Sequence, residues 1–412
     1  MLHRREEFRA MTPSASLRTA LLLLAVVQTP RVLSAGEGAP ARATPLNASV
    51  MIFNEWGLRD APAHVERAAA QGHRRLNVVV TIHAQIDNDL QVLNYGLIRA
   101  REGWQYTPFD EPLLAQFRRQ LGATFARAVE LGLDVAVLPH VDAAGPEFGW
   151  RNRFDLDPRK PCGGYSYRQA MIDPIVDALG AAIGPTTRVE LALTGEMGRT
   201  VFAYPEAYRS ILAELRRHPR LGRSKIGVSI NFNEVSGRHE PTAAGRATLR
   251  KLIEESDFLG ISCYGSVGVP PQARDFAAVV DTFAAELKGH GVTIPERLAL
   301  HFSEVGLGGG GRSGMPADIA RAPAEAASSA WAGTSDPAQN PWATEPMRAF
   351  RRDYHRALLE FLRTQPARWP VTSAFLWDTG SWCPYGFDDP AFADPEIIAL
   401  IRRHNAATET SP

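Results

Sequence analysis

Along the chain, short β-branched or apolar runs alternate with longer stretches in which apolar residues recur every three or four positions. Eight of the short runs read as strands: Val50-Met-Ile-Phe53, Leu76-Asn-Val-Val-Val-Thr-Ile82, Val135-Ala-Val-Leu138, Val189-Glu-Leu-Ala-Leu193, Ile226-Gly-Val-Ser-Ile230, Phe258-Leu-Gly-Ile-Ser262, Leu298-Ala-Leu-His-Phe302 and Val371-Thr-Ser-Ala-Phe-Leu376. The helical spacing predicts helices over 60–71, 113–131, 167–182, 205–217, 243–255, 274–288, 346–363 and 395–403. Several open on capping signals, such as Asp110-Glu-Pro and Asp394-Pro-Glu. Strands that alternate with helices build a parallel sheet from βα units, and eight such strands close the sheet on itself. The predicted fold is α/β, a single-domain (β/α)8 TIM barrel.

One stretch breaks the rhythm. The Gly-rich piece from Gly306 to Gly311, with the Ala/Ser/Gly-rich sequence that follows it to Pro341, is a long insertion after the seventh strand, and its glycine content is expected to permit mobility. No internal repeat of solenoid period occurs. Near the start, Arg18 precedes the apolar run from Ala20 to Val27, which is far short of the roughly 20 residues of a membrane-spanning helix and suits the core of a signal peptide. The expected organisation is a signal peptide over 1–35, a Pro/Ala/Gly-rich linker over 36–46, a catalytic domain over 47–406 and a C-terminal tail over 407–412. The mature protein is then expected to be secreted or periplasmic and free of the membrane.

Composition narrows the partners. The chain has 45 Lys+Arg against 45 Asp+Glu, so no basic field draws in nucleic acid and no acidic surplus marks a solvating tail. A neutral partner such as a carbohydrate fits this balance. The three cysteines, Cys162, Cys263 and Cys383, match neither a zinc framework nor a redox pair. After export one disulfide is expected, Cys162 with Cys383, leaving Cys263 free.

In a barrel of this kind reactive groups sit just past the C-terminal ends of the strands. Glu196 follows the fourth run in Leu193-Thr-Gly-Glu-Met-Gly198, and Glu304 follows the seventh in His301-Phe-Ser-Glu-Val-Gly306. Both carboxyls should enter one mouth from different sides. Cleavage of a glycosidic bond needs one protonated carboxyl to assist the leaving oxygen and one carboxylate to attack or stabilise the anomeric carbon. A lone strand-end glutamate is most often a solvated or ion-paired side chain; it is the joint placement that favours chemistry.

These residues resemble those of the clan A glycoside hydrolases, whose acid/base follows strand four and whose nucleophile follows strand seven. Within the clan the chain most resembles glycoside hydrolase family 113. The resemblance rests on Gly132-Leu-Asp-Val-Ala-Val-Leu-Pro-His-Val-Asp142, Leu193-Thr-Gly-Glu196, Ile230-Asn-Phe-Asn233, Asp257-Phe-Leu-Gly-Ile-Ser-Cys-Tyr264, Phe302-Ser-Glu-Val-Gly306 and Ala374-Phe-Leu-Trp-Asp378. It implies a retaining hydrolase of a β-linked poly- or oligosaccharide, with a β-mannan-type substrate leading, Glu196 as general acid/base and Glu304 as nucleophile. It also implies substrate-site roles for Asn231 after strand five, for Tyr264 as a hydrogen-bond donor near the nucleophile, and for Trp377 as a platform under a sugar ring. One departure stands out: many clan members carry Asn directly before the acid/base, and here that position is Gly195.

Other polar strand-end residues complete the candidate site. His140 and Asp142 close the third run as candidates for binding sugar hydroxyls, with a loop-anchoring role as the alternative. Glu55, in Phe53-Asn-Glu-Trp-Gly57, is a third carboxylate and a candidate substrate-binding residue. Trp150, Trp331, Trp342 and Trp382 lie in loops and are candidates for further subsites, although packing explains each as well. His83, His140 and His301 raise a metal-dependent hydrolase, but neither a His-x-His after the first strand nor a His-Glu-x-x-His helix occurs. Gly308-Gly-Gly-Gly311 lacks the Lys-Ser/Thr of a phosphate-binding loop. No metal and no organic cofactor are expected. The alternatives to a glycosidase are a carbohydrate-binding barrel without catalysis and the metal-dependent hydrolase.

Overall fold

The computed structural model describes residues 43–100, 104–145, 149–311 and 318–410. The expected signal peptide, and the linker up to residue 42, lie outside the described residues. Ten strands are formed: β1 (Leu46–Ile52), β2 (Arg75–Ile86), β3 (Val92–Ala100), β4 (Gln105–Pro108), β5 (Asp134–Ala143), β6 (Val189–Ala192), β7 (Lys225–Asn231), β8 (Phe258–Cys263), β9 (Ala299–Val305) and β10 (Val371–Leu376). Eight of them, β1, β2 and β5 to β10, pair in parallel and in that order, and β1 pairs with both β2 and β10. That closes the barrel predicted from the hydrophobic rhythm. The strands are buried nearly throughout because helices cover the outer face and side chains fill the interior.

Of ten α-helices among the described residues, eight match the predicted stretches and two short ones, the fourth and the eighth, have no predicted counterpart. The ten are α1 (Glu55–Ala70), α2 (Glu111–Glu130), α3 (Asp173–Ala182), α4 (Gly198–Ala203), α5 (Pro205–Arg216), α6 (Ala243–Glu255), α7 (Ala273–Gly289), α8 (Pro323–Ser328), α9 (Glu345–Thr364) and α10 (Pro395–Thr410). Two starts differ for local reasons. Asn54 caps α1 by accepting the Gly57 N–H at 2.8 Å, so the helix opens at Glu55 rather than at Asp60. Ahead of α3, residues Arg168–Ile172 form a π-turn, next to Pro174, which has no N–H to give an α-helical bond. The last helix continues to Thr410, so most of the expected tail from 407 is helical. At the other end, β1 begins at Leu46 and Thr44 is buried, so the fold reaches into the stretch expected as linker. Among the described residues no helix is long and apolar enough to cross a membrane.

The hairpin of β3 and β4 was not anticipated. The C-terminal part of β2 runs on beyond its pairing with β1, and β3 returns antiparallel to it, His83 opposite Gly96. Asn94 and Gly96 interrupt the apolar pattern of β3, which hides the strand in the sequence. Gly96 is required there because a Cβ would stand 2.1 Å from the Thr107 carbonyl oxygen of β4.

The described part of the insertion after β9, residues 306–311 and 318–341, is packed rather than open. Residues 306–311 are buried, and a Cβ on Gly308 would meet the Ala332 carbonyl oxygen at 2.2 Å and the Trp382 indole at 2.4 Å. Trp382 donates to Ala330 O at 3.2 Å and Trp342 to Ser381 O at 2.7 Å, so both indoles are taken up in packing this segment. The fully buried Arg351 of α9 lies over the Trp342 ring and donates to Ser381 O and Phe392 O at 3.0 and 2.6 Å, fastening the insertion to the loop after β10.

The expected disulfide does not form. All three cysteines are free: Cys162 is half-buried in a turn paired with Tyr165, whereas Cys383 is buried in the core.

Candidate active site

Glu196 and Glu304 reach the mouth of the barrel from β6 and β9, the fourth and seventh barrel strands, and are only 8% and 2% exposed. The end of β6 is firmly held. Leu193 N–H donates to Gly227 O at 2.8 Å, the Thr194 hydroxyl to Ser229 O at 2.9 Å and the buried Tyr167 hydroxyl to Leu193 O at 3.0 Å. Beyond this clamp Glu196 takes a left-handed backbone, φ +55°, which costs a non-glycine residue about 1–3 kcal/mol and is found where the surroundings dictate it. The Asn152 side chain then accepts Gly198 N–H at 2.8 Å and fixes the exit of the turn.

One guanidinium joins the pair. Arg151 donates to Glu196 Oε2 at 3.2 Å, to Asp142 Oδ1 at 2.8 Å and to His140 Nδ1 at 2.8 Å. Burial first, and the Arg151 charge second, hold His140 down to about 3, so the imidazole is neutral. With Nδ1 accepting from Arg151, the ring proton resides on Nε2. That nitrogen lies 2.8 Å from Glu304 Oε1, at contact distance but without hydrogen-bond alignment. The other oxygen of Glu304 accepts the Tyr264 hydroxyl at 3.1 Å, and Asn231 Nδ2 donates to Glu196 Oε1 at 2.7 Å. The buried Ser262 hydroxyl has no fixed hydrogen-bond partner and lies near enough to both carboxyls to favour their charged forms.

The electrostatics divide the two acids. Burial, and after it the charge of Glu304, push Glu196 up to about 7. Burial also raises Glu304, likewise to about 7, with the Arg151 charge and then the Tyr264 hydroxyl acting against it. Tyr264 keeps its proton because burial and then the nearby carboxylates lift it well above the usual phenol range. The two carboxyls are coupled: once Glu304 is ionised, its charge holds the proton on Glu196.

The structure also accounts for Gly195. A Cβ there would stand 2.3 Å from His140 Cδ2, 2.5 Å from His140 Nε2 and 2.8 Å from Pro139 O, so the space beside this residue is filled by the imidazole. Gly195→Ala is expected to displace His140 from Glu304, costing about 1–3 kcal/mol of stability from overpacking and about tenfold or more in turnover. Thermal unfolding and steady-state kinetics on the same preparation check both.

Of the predicted site residues, His140, Asp142, Asn231 and Tyr264 join the two glutamates in this network. Trp377, half-buried at the end of β10, packs its ring 5.7 Å from His140 and 5.9 Å from Phe53, at the same mouth. Glu55 stands apart. Lying in the first turn of α1, it pairs with Arg99 of β3 at 3.2 and 3.3 Å and accepts from Gln116 of α2 at 2.9 Å, which makes it an anchor for the hairpin. His301 lies deeper in the barrel, stacked on Phe258 at 3.9 Å and 3.7 Å from Glu190. Among the described residues no three His, Cys, Asp or Glu side chains are placed to hold a metal ion. Arg151 and Ser262 were not picked out in the sequence. The signal for Arg151 is indirect: a half-buried Asp142 beside two buried glutamates needs a cation, and Arg151 follows shortly after β5 in the chain.

No protein-family model matches the chain, and no curated protein matches it in sequence. Solved structures do match in fold. A GH113 β-1,4-mannanase in a complex superposes with a TM-score of 0.50 at 13% identity, over 89% of this chain and 98% of the other. The GH113 β-mannanase of Alicyclobacillus acidocaldarius with ManMIm gives 0.49 at 14% identity, over 90% and 99%. The endo-β-1,4-mannanase of Thermotoga petrophila gives 0.40 at 13% identity, over 90% and 78%. With its closed ring of eight parallel strands, the chain has the (β/α)8 fold seen in a GH113 β-1,4-mannanase.

Proposed function

We propose that this protein is a retaining glycoside hydrolase acting on a β-linked poly- or oligosaccharide, with a β-mannan-type chain as the leading substrate. The observation that carries the proposal is the buried carboxyl pair, Glu196 and Glu304, joined through Arg151 and His140 at the ends of the fourth and seventh barrel strands. In this reading Glu304 attacks the anomeric carbon while Glu196 gives its proton to the leaving oxygen. Glu196, now a base, then takes a proton from water as that water opens the glycosyl ester on Glu304. Tyr264 and Arg151 keep Glu304 charged and aimed, Asn231 orients Glu196, and Trp377 lies under the ring whose bond is cleaved. We further propose that the enzyme works outside the cytoplasm, where such polymers are met.

The purified protein should be tested on mannan, galactomannan, xylan and cello-oligosaccharides, with the anomer of the first product followed by NMR. Retention of configuration is the outcome expected of this double displacement. Release of the inverted anomer would remove Glu304 from the nucleophile role. The rate is expected to follow a bell in pH, its acid limb set by ionisation of Glu304 and its alkaline limb by loss of the Glu196 proton near 7. In Glu196→Gln the alkaline limb should vanish, and a limb that persists would assign that proton to another group.

A further inference from the structure

Trp104 is an unusual residue for a hairpin. It is 52% exposed and has φ +46°, a left-handed backbone that bulky side chains seldom adopt. Exposure of an indole and strain in its backbone both oppose folding, so the position calls for a function. The ring does not hang free. It meets Trp56 edge-on at 6.4 Å and 77°, and His83 at 5.9 Å and 85°, which sets its direction.

His83 ties this aromatic group to the catalytic mouth. It lies at the end of β2 in register with Asp142, and its imidazole feels the charges of Asp142 and Arg151. The hairpin that carries Trp104 is itself secured by the Arg99–Glu55 pair and by the Tyr106 hydroxyl on Asn94 at 2.5 Å. An exposed indole with a fixed orientation, beside an imidazole that is itself in register with Asp142, is complementary to the apolar face and hydroxyl edge of a pyranose.

We propose that Trp104, seated against Trp56 and His83, is a stacking platform for a pyranose unit of the substrate chain some distance from the bond that is cleaved. This rests on the glycosidase reading and extends the cleft over the β3–β4 hairpin. Long chains reach the platform and the shortest do not.

The test uses the full-length protein with β-1,4-mannohexaose and β-1,4-mannotriose. Binding of the hexaose to Glu304→Gln is measured by calorimetry, alone and combined with Trp104→Ala, Trp104→Phe or Leu93→Ala. Leu93 is an equally exposed side chain of the same hairpin and serves as the control. Trp104→Ala should weaken hexaose binding about tenfold, Trp104→Phe should recover most of it, and Leu93→Ala should leave it unchanged. In the active enzyme the ratio of kcat/KM for hexaose over triose should fall about tenfold in Trp104→Ala. Equal hexaose affinity with and without Trp104, in an enzyme that cleaves it, overturns the platform alone. Weakened binding in a protein that cleaves nothing overturns the hydrolase reading and keeps the platform. Absence of both binding and cleavage overturns both.

Discussion

Glu304→Gln is expected to lower kcat by at least about 10⁴-fold on every substrate, because the attacking carboxylate is gone and the amide beside Tyr264 cannot replace it. Glu196→Gln should behave differently. With a poor leaving group, such as another sugar, the loss of proton donation should cost about 10²–10⁴-fold. With a dinitrophenyl glycoside, which needs no protonation, bond cleavage should stay fast and hydrolysis of the glycosyl-enzyme should become limiting. Azide, which needs no general base, should then restore turnover. Comparison of burst and steady-state rates on the two substrate types measures this contrast, and equal losses on both would exchange or discard the assigned roles.

The same carboxyls should weigh on stability, with a definite sign. Their folded values lie above the ordinary 4.5, so between that value and about 7 the folded protein holds protons that the unfolded chain has released. Stability must therefore fall as pH rises through this window and return below it. Glu304→Gln is expected to raise Tm by about 2–4 °C at alkaline pH, the gain disappearing in acid below the ordinary carboxyl value. Paired thermal scans of wild type and variant at the two pH extremes read it directly.

Arg151→Met should be the most damaging change outside the two acids. The guanidinium serves Glu196, Asp142 and His140 at once, and its removal leaves buried acids without a cation. A cost of about 3–5 kcal/mol in stability is expected, with at least about 10²-fold in kcat. The acid limb of the pH profile should move upward, because the charge that favours ionised Glu304 is lost. Arg151→Lys should restore only part, since an ammonium lacks the planar fork that spans three partners. An unshifted acid limb in Arg151→Met would show that Glu304 owes its ionisation to other neighbours.

The barrel and most of this site are legible in the sequence for physical reasons. Period and length distinguish buried parallel strands from amphipathic helices, the strand ends then name Glu196, Glu304, His140 and Asp142, and the family resemblance adds Asn231, Tyr264 and Trp377. What the pattern hides depends on tertiary contact. Arg151 is one of 45 cationic residues until the fold sets it beside buried acids. The partners of Glu55 were hidden as well, since Arg99 lies on a hairpin that the hydrophobic period does not reveal. The glycines after β9 carry opposite meanings in sequence and in space, since the same lack of a side chain that loosens an open loop allows a dense one. The departure at Gly195 is answered by His140, which no local sequence rule connects to it.

That dense segment has an outcome for how substrates are chosen. With Gly308 wedged beneath Trp382 and Trp342 bonded to the backbone behind it, the described part of this flank is masonry. Under the proposed function a polymer would meet it as a fixed contour, discrimination at that flank would come from fit at first encounter, and adapting the enzyme to a bulkier branch there would mean recarving the wall.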